Sequence, residues 1–135
     1  MKRFFITTAI DYANGNPHIG HASEKTLADV IARYKRHMGM PVHFLTGLDE
    51  HGTKVQQSAQ KKGVAPQAFV DEVAPRFLEL CSKMNISNDD FIRTTQERHE
   101  RNVQAFLQAV YDRGYIYAGE YEALYCVGCE EFKPE

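Results

Sequence analysis

The chain has 135 residues, 43% of them hydrophobic and 25% charged, with a formal net charge of −2. That length supports a small domain with a real core, and the balance excludes a disordered chain. The near-neutral total predicts no general nucleic-acid surface, and no apolar run reaches the length of a membrane span, so any RNA contact is local and no membrane partner is expected.

The start, Met1-Lys2-Arg3-Phe4-Phe5-Ile6-Thr7, is basic but has only a short apolar stretch before Asp11, Asn14 and Pro17. A signal peptide is therefore not expected, and a cytoplasmic location is. Phe4 to Thr8 is a continuous apolar and β-branched run, which predicts a buried parallel strand. Asp11 to Pro17 is a polar loop rich in Asn and Gly. Leu27, Val30, Ile31 and Tyr34 then fall at helical spacing and predict one apolar face of a helix, ended by Gly39 and Pro41. Val42 to Thr46 predicts a second buried strand, with Gly47 breaking it.

A short helix is expected from Thr53 to Lys62, stopped by Gly63, and a longer one from Pro66 with Phe69, Val73, Phe77, Leu80 and Met84 on its apolar side. Cys81 lies on that side and reads as a core residue. Phe91-Ile92-Arg93 predicts a third strand. Thr94 and Glu97 are spaced as a capping box for a helix bearing Val103, Phe106, Leu107, Val110 and Tyr111, closed by Gly114. Tyr115 to Tyr125 alternates weakly and predicts two short strands. The strand–helix order implies an α/β fold, a Rossmann-like parallel sheet with flanking helices, whose ligands bind beyond the carboxyl ends of the strands.

Two segments fall at that edge. His18-Ile19-Gly20-His21 opens the first long helix, where unpaired N–H groups and the helix dipole suit a phosphate. His18 and His21, three apart, share a face, and Gly20 lets a flat ligand reach the backbone. The alternatives are two surface histidines, or a metal pair, which would need further ligands that His37, His43, His51 and His99 do not supply in any recognisable pattern. In the second segment, Gly47 to Thr53, Asp49 is suited to anchor a cation such as an α-ammonium group, or else Asp49 or Thr53 simply caps the next helix.

Cys126-Val127-Gly128-Cys129 is half of a tetrahedral zinc knuckle or, alternatively, a redox pair. Glu130-Glu131-Phe132-Lys133-Pro134 is a poor opening for the amphipathic helix that a redox pair precedes, which favours zinc. No further ligand follows before Glu135, where the chain stops without a closing element, so an N-terminal fragment of a longer protein is expected.

The run from Thr8 through Asp11-Tyr12-Ala13-Asn14-Gly15 to His18-Ile19-Gly20-His21 resembles the signature of class I aminoacyl-tRNA synthetases. The loop Thr46-Gly47-Leu48-Asp49-Glu50-His51-Gly52-Thr53-Lys54 resembles its methionine branch. The resemblance implies that the parent enzyme activates methionine with ATP and Mg2+ and transfers it to tRNA(Met) in translation. It implies that His18 and His21 are catalytic, that Tyr12, Asn14, His18, Gly20 and His21 bind ATP, and that Ile10, Tyr12 and Asp49 bind the amino acid. Some methionine enzymes carry a second acid at the position of Leu48, so only Asp49 is carried over, and His51 and Gly52 are left between loop shape and ligand contact. The resemblance also places residues 1–114 in the first half of the catalytic domain and 115–135 at the start of a connective insertion. There, Cys126 and Cys129 would supply half of a Zn2+ site in the full-length protein. A Lys-Met-Ser-Lys-Ser loop and an anticodon-binding domain are absent, so the fragment alone is expected to be inactive. A small nucleotidyltransferase of similar fold and a non-catalytic truncated module are the alternatives.

Overall fold

The computed structural model describes residues 3–133; Met1, Lys2, Pro134 and Glu135, on which parts of the leader and zinc-knuckle expectations rest, lie outside the described residues. The elements in order are β1 (Phe4–Tyr12), α1 (Ile19–His37), β2 (Val42–Asp49), α2 (Thr53–Lys62), α3 (Pro66–Lys83), β3 (Asp90–Arg93), α4 (Glu97–Asp112), β4 (Leu124–Cys126) and β5 (Glu131–Lys133). The chain divides into two compact units, Met1–Arg101 and Asn102–Glu135.

In the first unit β1, β2 and β3 form a parallel sheet in that spatial order. Parallel neighbours need crossovers, and α1 and the α2–α3 pair provide them. Phe44 packs with Ala28 and Ala32 of α1, while Leu48 packs with Val55, Ala59, Val70, Val73 and Phe77 of α2 and α3. Phe44 and Leu48 point to the same side of β2, because strand side chains alternate with period two. Both crossovers therefore cover one face of the sheet, as two right-handed crossovers in this strand order require.

Several expectations are corrected. First, β1 extends through Asp11 and Tyr12, because pairing with β2 continues as Asp11↔Leu48 and Tyr12↔Asp49. Its register shifts between Thr7 and Ile10, where three steps of β1 oppose two of β2. An extra residue of this kind reverses the in–out alternation. Asp11 is consequently buried, and Ile10 is left 40% exposed. The bulge is held by the Ala9 N–H donating to Glu24 Oε1 at 2.8 Å and by a Thr8–Thr46 hydroxyl pair at 2.7 Å.

Second, Gly47 does not end β2. It pairs with Ile10 and Ile92 inside the sheet. A Cβ there would lie 2.1 Å from the Ile92 carbonyl oxygen, so the residue is a close-approach glycine. Third, the apolar stripe of α1 faces outward: Leu27 is 65% exposed and Val30 60%, with Ile31 and Tyr34 also exposed. The buried face is Ala22, Lys25, Ala28, Asp29 and Ala32. Small side chains let the helix sit close to the sheet, and the two charged residues bring their own partners. On α3 Phe69, Val73, Phe77 and Cys81 are buried as expected, but Met84 is exposed.

Fourth, Thr94 does not cap α4, which starts at Glu97. The His99 and Glu100 N–H groups donate to the Gln96 carbonyl, and the Thr94 hydroxyl accepts from the Glu50 N–H at 2.8 Å. None of α4 is buried, including its predicted apolar side. In the second unit, the two short strands expected within Tyr115–Tyr125 do not both form: only Leu124–Cys126 reaches into that stretch, and it pairs antiparallel with Glu131–Lys133. Residues 115–123 form no strand. Phe132 meets Tyr121 and Tyr125 edge-on at ring separations of 5.0 and 5.1 Å.

Candidate active site

His18 is the N-cap of α1, in extended backbone conformation, which places His21 at the third helical position. The Gly20 N–H donates to His18 Nδ1 at 3.1 Å, and the His18 N–H donates to His21 Nδ1, also at 3.1 Å. The two imidazoles thus form a reciprocal capping box, the arrangement usually made by Ser/Thr with Glu. Their rings stack with centroids 3.7 Å apart, and His21 packs against Phe77 of α3 at 5.3 Å.

The cap has a chemical consequence. An imidazole nitrogen that accepts a hydrogen bond carries no proton, so both rings are held as the tautomer with Nε2–H. Each ring then offers one N–H donor beside the positive end of α1, which suits an anion with several oxygens. Burial lowers the pKa of His21 below its ordinary value; nearby Asp11 acts against this, while His18 and Lys25 act with it and Glu24 against it. A neutral His21 is the form the cap requires.

Asp49 ends β2 directly beside Tyr12, and its carbonyl accepts from the Ala13 N–H at 2.8 Å. Tyr12 and Asp49 therefore share the carboxyl edge of the sheet, with Ile10 on the same strand. Asp49 Oδ1 accepts from the His51 N–H at 3.2 Å, a local turn that orients the carboxylate. Asn14 is exposed in the loop before α1, and its carbonyl accepts from the Ser58 hydroxyl at 3.3 Å. Gly20 follows the cap, its N–H already held by His18. Cys126 and Cys129 belong to the other unit, Cys126 at the end of β4 and Cys129 in the turn before β5. Among the described residues no group of three or more His, Cys, Asp or Glu is placed to hold a metal. The pair alone supplies two thiolates, half the set of a tetrahedral zinc site.

The structure also assigns residues that motif reading missed. Glu50 is buried, and its carboxylate takes Arg93 Nε at 2.6 Å and the Thr95 hydroxyl at 2.5 Å. His51 Nε2 lies 3.2 Å from the Thr94 carbonyl. The Asp49 loop is thus pinned by the segment that follows β3. Gly52 has φ +100°, and a Cβ there would lie 2.1 Å from Tyr12 Oη. Its part is loop shape: it lets the Tyr12 ring close over the start of α2. Of the loop's two adjacent acids, Asp49 lies at the sheet edge and Glu50 points inward as an anchor. Asp11 and Lys25 form a buried ion pair at the sheet edge. Its only sequence signal is a lysine in the row Ala22, Ala28, Ala32.

The chain is similar to known proteins of one family. The family model described as "tRNA synthetases class I (M)" matches residues 4–135. The chain is 52% identical over 134 residues to the methionine–tRNA ligase of Fusobacterium nucleatum, covering 99% of this chain and 21% of that protein. It is 56% identical over 135 residues to the methionine–tRNA ligase of Deinococcus radiodurans, covering 99% of this chain and 20% of that one. The chain thus spans about a fifth of the length of these curated relatives. Among solved structures, methionyl-tRNA synthetase of Mycobacterium tuberculosis in complex with methionyl-adenylate superposes with a TM-score of 0.95 at 41% identity, over 100% of this chain and 26% of that one. With a family match that starts at the first residue of β1 and takes in both loops of the sheet edge, this chain belongs to the class I tRNA synthetases of the M family.

Proposed function

We propose that this chain forms the nucleotide- and methionine-binding edge of an enzyme that activates methionine with ATP and passes it to tRNA(Met). The observation that carries the assignment is the reciprocal imidazole cap, which fixes two Nε2–H donors at the start of α1. Attack of an amino-acid carboxylate on the α-phosphorus of ATP gathers negative charge on phosphate oxygens. Donors already oriented toward that charge lower the barrier without reorganising. His18 and His21 take this catalytic role, and Tyr12, Asn14 and Gly20 complete the ATP side. Asp49 holds the substrate ammonium group by a charge-assisted hydrogen bond, with Ile10 and Tyr12 beside its side chain.

Mg2+ would accompany the ATP phosphates. In the second unit Cys126 and Cys129 would give two thiolates to a structural Zn2+, the other ligands coming from elsewhere in the protein. Residues 1–114 belong to the catalytic domain on this proposal and 115–135 to a connective insertion. The sequence carries no Lys-Met-Ser-Lys-Ser segment to meet pyrophosphate, so turnover is assigned to a protein in which this stretch is joined to one. The test is methionine-dependent ATP–pyrophosphate exchange by such a protein. His18→Ala and His21→Ala should each lower kcat by roughly 10²–10³-fold, the usual effect of deleting one preorganised donor. Exchange that ignores methionine, or that both variants leave unchanged, would reject the assignment.

A further inference from the structure

The Asp11–Lys25 pair has no part in the chemistry above, yet it is a deeply buried ionic contact, with side-chain exposures of 0% for Lys25 and 2% for Asp11. Burying two charges costs several kcal/mol per ion (about that order), and an apolar pair of similar volume would hold α1 to β1 as well or better. The pair must be understood by what lies beside it. The β1 bulge turns Asp11, in place of Ile10, toward α1. Lys25 stands four residues after His21 and so occupies the same row of the helix. Glu24, its neighbour, holds the backbone of the bulge. The turn of α1 that carries His21 is therefore tied to β1 at two adjacent points.

The groups around His21 come from every element packed against it. β1 contributes Asp11, and the cap contributes His18. Its own helix contributes Glu24 and Lys25. α3 contributes Phe77 against the ring, and its Cys81 thiol lies within reach of the Asp11 and Lys25 charges. A carboxylate buried here without a counter-ion would recruit the nearest group able to take a proton. His21 is such a group. A proton on its Nδ1 would remove the acceptor that the His18 N–H needs and open the capping box.

We propose that Lys25 is a positioning residue for His21: by holding the Asp11 carboxylate it keeps His21 from becoming that carboxylate's counter-ion. Nδ1 then remains on the His18 N–H, and the proton remains on Nε2. The significance for catalysis rests on the phosphate-facing assignment of His18 and His21; the proton placement itself does not.

Nitrogen-15 imidazole NMR of the 135-residue chain tests this, with Lys25→Met, Asp11→Asn and the double variant. Wild type should show His21 with Nδ1 bare and Nε2 protonated at neutral pH. In Lys25→Met the His21 titration midpoint should rise, Nδ1 should become protonated at neutral pH, and the His18 amide should lose exchange protection. Adding Asp11→Asn should restore the wild-type midpoint and tautomer, a rescue that a purely structural role for Lys25 does not produce. Should Lys25→Met fail to fold by circular dichroism, Asp11→Asn alone decides. It leaves a cation beside the ring, so the midpoint must fall below wild type. A wild-type midpoint and tautomer in folded Lys25→Met, or, where that variant does not fold, an unmoved midpoint in Asp11→Asn, would overturn the proposal. Absence of methionine-dependent exchange by a protein that joins this stretch to a Lys-Met-Ser-Lys-Ser segment, with these NMR results as expected, would reject the enzyme assignment and leave the role of Lys25 standing.

Discussion

The two loops at the carboxyl edge of the sheet are built in opposite ways. The first supports itself: His18 and His21 satisfy each other's backbone and ring within four residues. The second is held from a distance, by Arg93, Thr94 and Thr95 on Glu50 and His51, and by Tyr12 over Gly52. A self-capping loop orients its donors mainly through its own backbone, with the Asp11–Lys25 pair and Phe77 behind it. A loop pinned by remote segments places Asp49 only when the whole sheet is assembled, so damage to the second loop should report as lost folding, and damage to the first as lost chemistry.

The largest effect that would sharpen this contrast is expected from Gly52→Ala. A methyl group at φ +100° and 2.1 Å from the Tyr12 hydroxyl adds backbone strain to overpacking. Together these should cost about 3–4 kcal/mol in urea unfolding. A loss within experimental error would show that Tyr12 yields freely and that the loop is not fixed as described.

Next comes Glu50→Ala, which strips Arg93 of a buried partner and leaves the Thr95 hydroxyl unmatched. A loss of about 3 kcal/mol is expected, as for other broken buried pairs. Asp71, on the far side of the guanidinium, is too exposed to compensate. Equal stability in the variant would mean that the loop holds without its anchor.

The smallest effect belongs to the first loop. The fold lowers the pKa of His21, chiefly by burial, so the folded state favours neutral imidazole. Its contribution is fully present above the ordinary imidazole value of 6.5 and is lost as pH falls through the lower folded value. His18→Ala should cost about 1 kcal/mol as an N-cap loss and should keep most of that acid limb, because the residue-18 N–H that donates to His21 Nδ1 and the burial of the His21 ring both remain. Loss of the limb in His18→Ala would show that the stacked His18 ring, and not burial, sets the pH response.

This asymmetry also governs what could be read without coordinates. The fold class, the strand–helix order, the core residues of α3 and the position of both loops at one sheet edge follow from short-range pattern. So does the pairing of His18 with His21, although their spacing alone did not reveal that each ring would cap the other's backbone. The apolar stripe of α1 misled, because hydrophobicity marks a surface that needs covering and does not say which neighbour covers it. In this chain the sheet takes the alanine row, with Lys25 and Asp29 paired to Asp11 and to Arg33 and Ser87. The bulge in β1 was invisible for a related reason. Nothing in Thr7-Thr8-Ala9-Ile10 marks the extra residue, which depends on where β2 and Glu24 meet it. The roles of Glu50, Arg93 and Thr94 were not legible because Glu50 lies 43 residues before Arg93 and 44 before Thr94.

The most direct test of the central claim is a titration of the 135-residue chain with ATP and Mg2+, and separately with methionine, followed by NMR. The account predicts that ATP shifts the Nε2–H signals of His18 and His21 and leaves the His51 amide, which reports on Asp49, nearly still. Methionine should do the reverse. Nucleotide-induced shifts confined to residues away from the start of α1, at concentrations that saturate the chain, would contradict it.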